Sequence, residues 1–124
     1  MCLTVNRWKH WFNQPRVAKR DIRCYKRLQM DEVECLQTPY QQTPIGREDI
    51  KNGLVAKDFQ RKWLPYDEVP TIIDGIHSYS SYTVALSNAF CCDDEIIVCA
   101  YIPKGTLYWI GKHHEYVSEK ICFN

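Results

Sequence analysis

The strongest constraint on the fold of this chain is a continuous apolar segment, Glu95–Ile102, with the sequence EIIVCAYI. Every side chain after the glutamate is apolar or aromatic, and three β-branched residues, which favour extended backbone, come first. A run of this length bounded by turn residues is typical of a strand that is buried on both faces. The segment therefore predicts the central strand of a sheet, for which the rest of the chain must supply neighbours.

A turn and two further strands follow the apolar segment. In residues 103–106 (PKGT), proline presets φ at the second turn position and glycine accepts a positive φ. The aromatic segment Leu107–Ile110 predicts a strand that returns as the hairpin partner of the apolar strand. The chain ends in a last predicted strand, in which Ile121 and Phe123 point away from Cys122.

Alternation of side chains predicts another strand at residues 21–28 (DIRCYKRL). Its two faces carry Ile22, Cys24 and Lys26 on one side and Arg23, Tyr25 and Arg27 on the other. Residues 31–53 are polar and interrupted by proline and glycine, which predicts short strands and turns. Residues 56–63 have helical composition but end near Pro65, so the sequence leaves a single helical turn and an irregular loop open.

A serine-rich turn and a short helix are predicted after Gly75. Residues 76–77 end a short strand, and Ser80 or Ser81 is placed to cap a helix by accepting a bond from a first-turn amide. The apolar face of that helix lies within residues 84–90. The loop before the last strand carries His113 and His114, whose adjacent positions favour exposed imidazoles over a metal site.

These segments together predict an α+β fold for a single domain spanning residues 1–124. Its core is a small, mostly antiparallel, strongly bent β-sheet with one or two short helices. Residues 1–14 form an aromatic and basic arm, in which Trp8, Trp11 and Phe12 alternate with cationic side chains. The arm is expected to pack on the domain, and docking of a host protein is the alternative.

Composition excludes several classes of partner and site. The formal net charge is +1, so nothing draws the whole chain towards nucleic acid, and no apolar run approaches the about 20 residues that span a bilayer. Seven cysteines, an odd number, predict free thiols in a reducing cytosol. A zinc site from Cys91, Cys92 and His77 lacks the usual ligand spacing, so no metal is predicted. The basic residues 7–27 suit a solvated face or a site for a phosphate-bearing ligand.

The order of these features resembles the compact ADP-ribosyltransferase-like fold. The matching pieces are Tyr25-Lys26-Arg27 on a first strand, Ser78-Tyr79-Ser80 before a short helix, residues 102–106 at a Pro-x-Gly turn and Glu119 on a late strand. The chain is also similar to a group of small uncharacterised proteins from phage and bacterial genomes. They share a Cys-Tyr-Lys start, a Gly-Phe-His-Ser-like middle and an Ile-Pro-Lys-Gly turn, matched by residues 24–26, 75–78 and 102–105.

The first resemblance implies a site for NAD or a related nucleotide. The implied ligand-binding residues are Lys26, Arg27, His77, Ser78, Tyr79 and Ser80, and the implied catalytic residue is Glu119. Lys26 or Arg27 would contact phosphate, while the serines bond a ribose or amide and His77 and Tyr79 pack on a ring. Glu119 would stabilise positive charge at the anomeric carbon as nicotinamide leaves. Each residue also has a structural alternative, as a strand-end charge, a cap or a packing tyrosine.

Three functions remain open from the sequence. The favoured one is a phage-type accessory protein in the bacterial cytoplasm that binds a nucleotide-like molecule, such as a host immune signal, without turnover. It is favoured because Val117 stands where an arginine-directed transferase carries Glu or Gln, two positions before Glu119. The second is a small ADP-ribosyltransferase or NAD-cleaving enzyme, and the third is a protein inhibitor acting through the N-terminal arm. An oligomer is compatible with all three.

Overall fold

A computed structural model describes residues 3–6, 9, 14–30, 36–37, 45–60, 71–72, 74–89 and 95–123. This part of the chain contains eleven strands and two short helices. The elements are β1 (Leu3–Thr4), β2 (Arg16–Val17), β3 (Ile22–Met30), β4 (Leu36–Gln37), α1 (Arg47–Asn52), β5 (Leu54–Val55), β6 (Thr71–Ile72), β7 (Ile76–Tyr79), α2 (Tyr82–Ala89), β8 (Glu95–Ile102), β9 (Leu107–Ile110), β10 (Glu115–Ser118) and β11 (Lys120–Phe123). Neither described helix has the length and apolar character needed to cross a membrane.

The main sheet is antiparallel at every described pair of strands. Its order is β2-β9-β10-β7-β3-β8-β11-β5, with β4 paired to β3, and β1 and β6 form a separate two-stranded sheet. β3 and β8 are in register from Ile22 opposite Ile102 to Gln29 opposite Glu95. The predicted mostly antiparallel sheet with short helices is therefore confirmed, and so are the strands predicted from residues 21–28 and 95–102.

The two faces of the main sheet carry separate apolar clusters. We call them the Cys24 face and the Tyr25 face, after successive residues of β3. The Cys24 face is packed around Cys24, Ile76, Ala100, Ile102, Tyr108 and Ile121. On the Tyr25 face, the small β1–β6 sheet packs Leu3 and Ile72 against Trp109 and Val117. Residues 3–5 of the predicted arm thus pack on the domain, whereas Trp8, Trp11 and Phe12 lie outside the described residues.

Two expectations about β8 and its turn are wrong. β8 is central, but it is not buried on both faces. Ile96 is 39% exposed and Cys99 is exposed, and within residues 96–102, whose burial is described, only Ala100 and Ile102 are buried. β9 is not its hairpin partner, because β3 and β11 already occupy both edges of β8 and β9 pairs with β10 and β2. The turn itself forms: Thr106 N donates to Pro103 O at 3.1 Å, so proline takes the first turn position, and Gly105 has a φ of 88°.

Of the two described helices, α2 was predicted from the sequence and α1 was not. α2 follows Ser81, whose hydroxyl accepts a long bond of 3.5 Å from Val84 N. α1 was not predicted, because it has no buried residue and hence no apolar periodicity. Local bonds define it: Gly46 N donates to the Asp49 carboxylate at 2.9 Å, and Gly53 N donates to Asp49 O at 2.9 Å. Of residues 56–63, positions 56–60 are described and form no helix.

Candidate functional site

A row of three polar side chains crosses three neighbouring strands on the Tyr25 face. Tyr79 of β7 stands opposite Tyr25 of β3 on one side and opposite Glu115 of β10 on the other. Directly opposed residues of antiparallel strands share a face, with β-carbons about 5 Å apart. We call Tyr25, Tyr79 and Glu115 the central row. Ser78 and Tyr79 thus belong to a strand and not to the predicted turn.

Arg27 lies beside the central row. It is two residues after Tyr25 on β3, so its side chain is on the same face. The guanidinium is buried, with only 7% of the residue exposed, and its NH1 donates to the Tyr79 hydroxyl at 3.4 Å. Arginine stays protonated inside proteins. A permanent buried positive charge therefore lies beside the row and contacts its central phenol.

Glu115 brings a carboxyl group to the other end of the row. It is half-buried, and burial raises its pKa above the ordinary glutamate value, while the charge of His113 acts in the opposite direction. Two backbone bonds of 2.8 Å hold the preceding loop: Gly111 N donates to Glu115 O, and Ser80 N donates to His114 O. The carboxyl group is consequently held at the start of β10, partly shielded from water.

Helix α2 and the small β1–β6 sheet flank the central row on the Tyr25 face. On one side α2 contacts β3, β7 and β8, and Tyr82 meets the ring of Tyr25 edge-on at 5.9 Å between centroids. On the other side the β1–β6 sheet covers Val117 and Trp109. The half-buried His77 stands opposite Val117, one step from Tyr79 along the same face. The polar residues therefore lie between two packed apolar regions.

The structure separates two predicted ligand residues from the others. Lys26 and Ser78 point to the Cys24 face, because each follows or precedes a member of the central row by one residue. Ser80 lies just beyond β7, and its backbone amide donates a hydrogen bond to His114 O. Arg27, His77 and Tyr79 are therefore brought together on one face, whereas Lys26 and Ser78 are near neighbours on the other.

Lys26 is buried and bound to the backbone of the neighbouring strand. Its Nζ donates to His77 O at 2.8 Å, and 7% of the residue is exposed. Burial lowers the pKa of Lys26 to about 8, the positive charge of Arg27 acts in the same direction, and Cys24 acts against them. Burial likewise raises the pKa of the Cys24 thiol to about 11. The Ser78 hydroxyl lies near this thiol and acts to lower its pKa. The two groups do not meet hydrogen-bond geometry, and Ser78 Oγ has no bonded partner.

Glu119 lies away from the central row. It links β10 to β11, with its N donating to Leu107 O at 3.0 Å and its O accepting from Ala56 N at 2.9 Å. It is four residue steps along the chain from Glu115, which corresponds to about 13 Å of extended strand. Glu115 was missed from the sequence. The available signal was its place at the start of a strand, directly after a polar loop with two histidines.

Two other sequence expectations concern metals and thiols. Among the described residues, no group of three or more His, Cys, Asp or Glu side chains is arranged to hold a metal ion. Cys24, Cys99 and Cys122 are free thiols, although Cys99 is exposed and not buried as expected. Cys91 and Cys92 lie outside the described residues. Comparison of the chain with protein-family models, with curated proteins and with solved structures gives no match.

Proposed function

We propose that the protein binds a nucleotide-like small molecule on the Tyr25 face, at the central row and Arg27. The observation that carries this proposal is the buried Arg27 guanidinium, which is bonded to Tyr79, the residue that stands opposite Glu115. A planar guanidinium matches phosphate oxygens with paired donors. The phosphate group of a nucleotide is therefore the part of the ligand that suits this residue.

The other residues divide between the remaining parts of such a ligand. The carboxyl of Glu115 accepts hydrogen bonds from ribose hydroxyls when it is ionised. Tyr25 and His77 are half-buried and offer ring faces on which a base can pack. In this arrangement Arg27 and Tyr79 form the buried floor, and Glu115 and His77 form the rim.

The test is a ligand-dependent rise in melting temperature with NAD, ADP-ribose and AMP as probes. Arg27→Gln should abolish the rise, because it removes the charge that meets the phosphate. Arg23→Gln is the matched control, since Arg23 lies on the same strand and face but is exposed. A full thermal shift in Arg27→Gln would rule the site out. Small molecules that co-purify should be identified by mass spectrometry in parallel.

A second candidate function, glycosyl transfer from NAD, is supported by Glu115. A half-buried carboxylate beside a candidate ribose site can stabilise the oxocarbenium-like centre left by departing nicotinamide. Nicotinamide release should be followed in the unaltered protein, in Glu115→Gln and in Glu119→Gln. Turnover lost only in Glu115→Gln supports catalysis at the central row. Turnover lost only in Glu119→Gln supports the assignment made from the sequence, and no turnover at all supports binding alone.

Several finer expectations belong to the same proposal. The two resemblances support an α+β domain with a strongly bent sheet, and a phage-type accessory protein in the cytoplasm of a bacterial host that sequesters an immune signal. Inhibition of a host protein through Trp8, Trp11 and Phe12 is the remaining alternative. Deleting residues 1–14 is a poor test of it, because Leu3 and Val5 are fully buried. Trp8→Ala and Trp11→Ala, which leave β1 in place, should abolish an inhibitory activity and preserve nucleotide binding.

A further inference from the structure

Three buried polar side chains lie together on the Cys24 face, opposite to the central row. They are Lys26 of β3, Ser78 of β7 and Ser118 of β10. The side chains around them form the apolar cluster of that face, which includes Ile76 and Tyr108. A sheet face that only built a core would bury apolar side chains at these positions, because burying polar groups costs free energy unless they are bonded.

Neither serine hydroxyl has a partner that meets hydrogen-bond geometry, although the Cys24 thiol lies near Ser78. Ser78 is 1% exposed and Ser118 is 0% exposed, so water at the surface does not reach either one. Buried polar groups in native proteins are nearly always bonded, and an exception indicates a missing water, ion or ligand. Two such groups on one face, close to a buried amine, therefore call for a polar partner.

The sheet register places the three groups on one face of three adjacent strands. Ser78 stands opposite Tyr116, and Ser118 stands opposite Ile76, so the two serines are diagonal neighbours on adjacent strands. Diagonal neighbours lie about 7–8 Å apart, and the two serine hydroxyls do not bond each other. A single small group with oxygens on more than one side can bond both. Lys26 Nζ is bound to His77 O, next to Ser78 along β7.

The charge at this point is positive. Lys26 uses one of its three N–H donors on His77 O. The pKa of its amine is shifted by burial, Arg27 and Cys24, and no carboxylate of the described residues is among the causes. The phenol of Tyr116, whose pKa is raised by burial, stays neutral and supplies no counter-charge. Within the described part of the chain, an ammonium group and two hydroxyl donors without an acid beside them therefore favour an anion over a cation or an apolar group.

We propose that Lys26, Ser78 and Ser118 bind a compact oxyanion of phosphate size on the Cys24 face. The ammonium group supplies the charge, and each serine hydroxyl donates one hydrogen bond to an anion oxygen. Tyr108 and Tyr116, whose rings meet edge-on at 6.0 Å, lie beside the serines. This site is independent of the proposed nucleotide site, because Arg27 lies on the opposite face of the sheet.

The experiment titrates Lys26 by NMR of the lysine side-chain amines, with inorganic phosphate as the probe and chloride at equal ionic strength as the reference. Because an anion bound to the amine favours its charged form, saturating phosphate should raise the Lys26 pKa by about one unit, equivalent to about tenfold preference for the charged amine. A pKa that is the same in phosphate and in chloride overturns the proposal.

Variants separate this site from phosphate bound elsewhere. Ser78→Ala combined with Ser118→Ala should weaken phosphate binding by about tenfold. The folded state should tolerate this change, because both hydroxyls are unbonded without the anion. Ser87→Ala is the control, since Ser87 is exposed on α2. Unchanged binding in the double variant, or only an ordered water at Lys26 in a crystal grown in phosphate, would show that no oxyanion site exists here.

Discussion

Replacing Lys26 by methionine should stabilise the protein at neutral pH, although it removes a buried hydrogen bond. Burial lowers the pKa of Lys26 from 10.5 to about 8, so the folded state disfavours the charged amine. A difference of 2.5 pKa units corresponds to about 3 kcal/mol of free energy of unfolding. Losing the bond from Lys26 Nζ to His77 O costs about 1–2 kcal/mol. The net expectation at pH 7 is a gain of about 1–2 kcal/mol.

The sign of this effect depends on pH. Below about pH 8 the amine is charged in both states, and the wild-type protein bears the full penalty. Between pH 8 and pH 10.5 the unfolded chain binds more protons than the folded protein, so wild-type stability rises with pH. The advantage of Lys26→Met should therefore shrink through this range. Above it the variant should be the less stable protein, because only the lost hydrogen bond remains.

The assay is urea unfolding of both proteins at pH 7 and pH 10 in phosphate-free buffer, followed by circular dichroism. Comparison of variant with wild type removes most of the contribution of other groups, such as Cys24, that titrate at high pH in both proteins. Lys104→Met is the matched control, since Lys104 is exposed in a turn and should change stability by less than about 0.5 kcal/mol. The reasoning is refuted if Lys26→Met destabilises the protein at pH 7 and the loss is the same at pH 10.

Three further predictions concern the backbone, the thiols and the central row. Gly75→Ala should destabilise the fold by about 3 kcal/mol in urea, because Gly75 has a φ of 136° and a β-carbon would overlap Val117 Cγ1. Gly105→Ala, with a φ of 88° but open space around it, should cost only about 1 kcal/mol; equal losses would contradict the steric explanation. A thiol reagent at pH 7 should label the exposed Cys99 well before the buried Cys24, whose pKa is about 11, as peptide mapping by mass spectrometry would show. Equal labelling rates would mean that the Cys24 face is open. His113→Ala should raise the pKa of Glu115 further in a carboxyl NMR titration, because the imidazolium charge lowers it, and an unchanged pKa would place the histidine too far away to matter.

The strands were predictable where the pattern is local. The alternation of β3 assigned Lys26 and Arg27 to opposite faces, and the β-branched start of β8 identified a strand with the right bounds. Helix α1 escaped prediction because Gly46 and Asp49 define it without any buried side chain. The hairpin after β8 was wrong for a different reason. A turn specifies a change of direction, but the partner of the next strand depends on which edges are already occupied.

The candidate site was predictable in part for the same reason. A two-residue period says that Arg27 and Tyr25 share a face, because that property depends only on the backbone of one strand. The same period cannot distinguish Glu115 from Glu119, because it assigns residues four positions apart to the same face of a strand. Only the register of β10 against β7 places Glu115 beside Tyr79 and leaves Glu119 at the far end.

Sequence alone determined which segments of this chain form strands and how the side chains of each strand divide between two sides. Tertiary structure decided which strands became neighbours, and hence that a buried arginine meets a tyrosine while a buried lysine bonds the backbone of His77. The physical reason is the range of the interactions involved. Strand propensity and alternation arise between residues adjacent in the chain, whereas burial, pKa shifts and cross-strand contacts arise between residues that are about 50 positions apart, as Lys26 and His77 are.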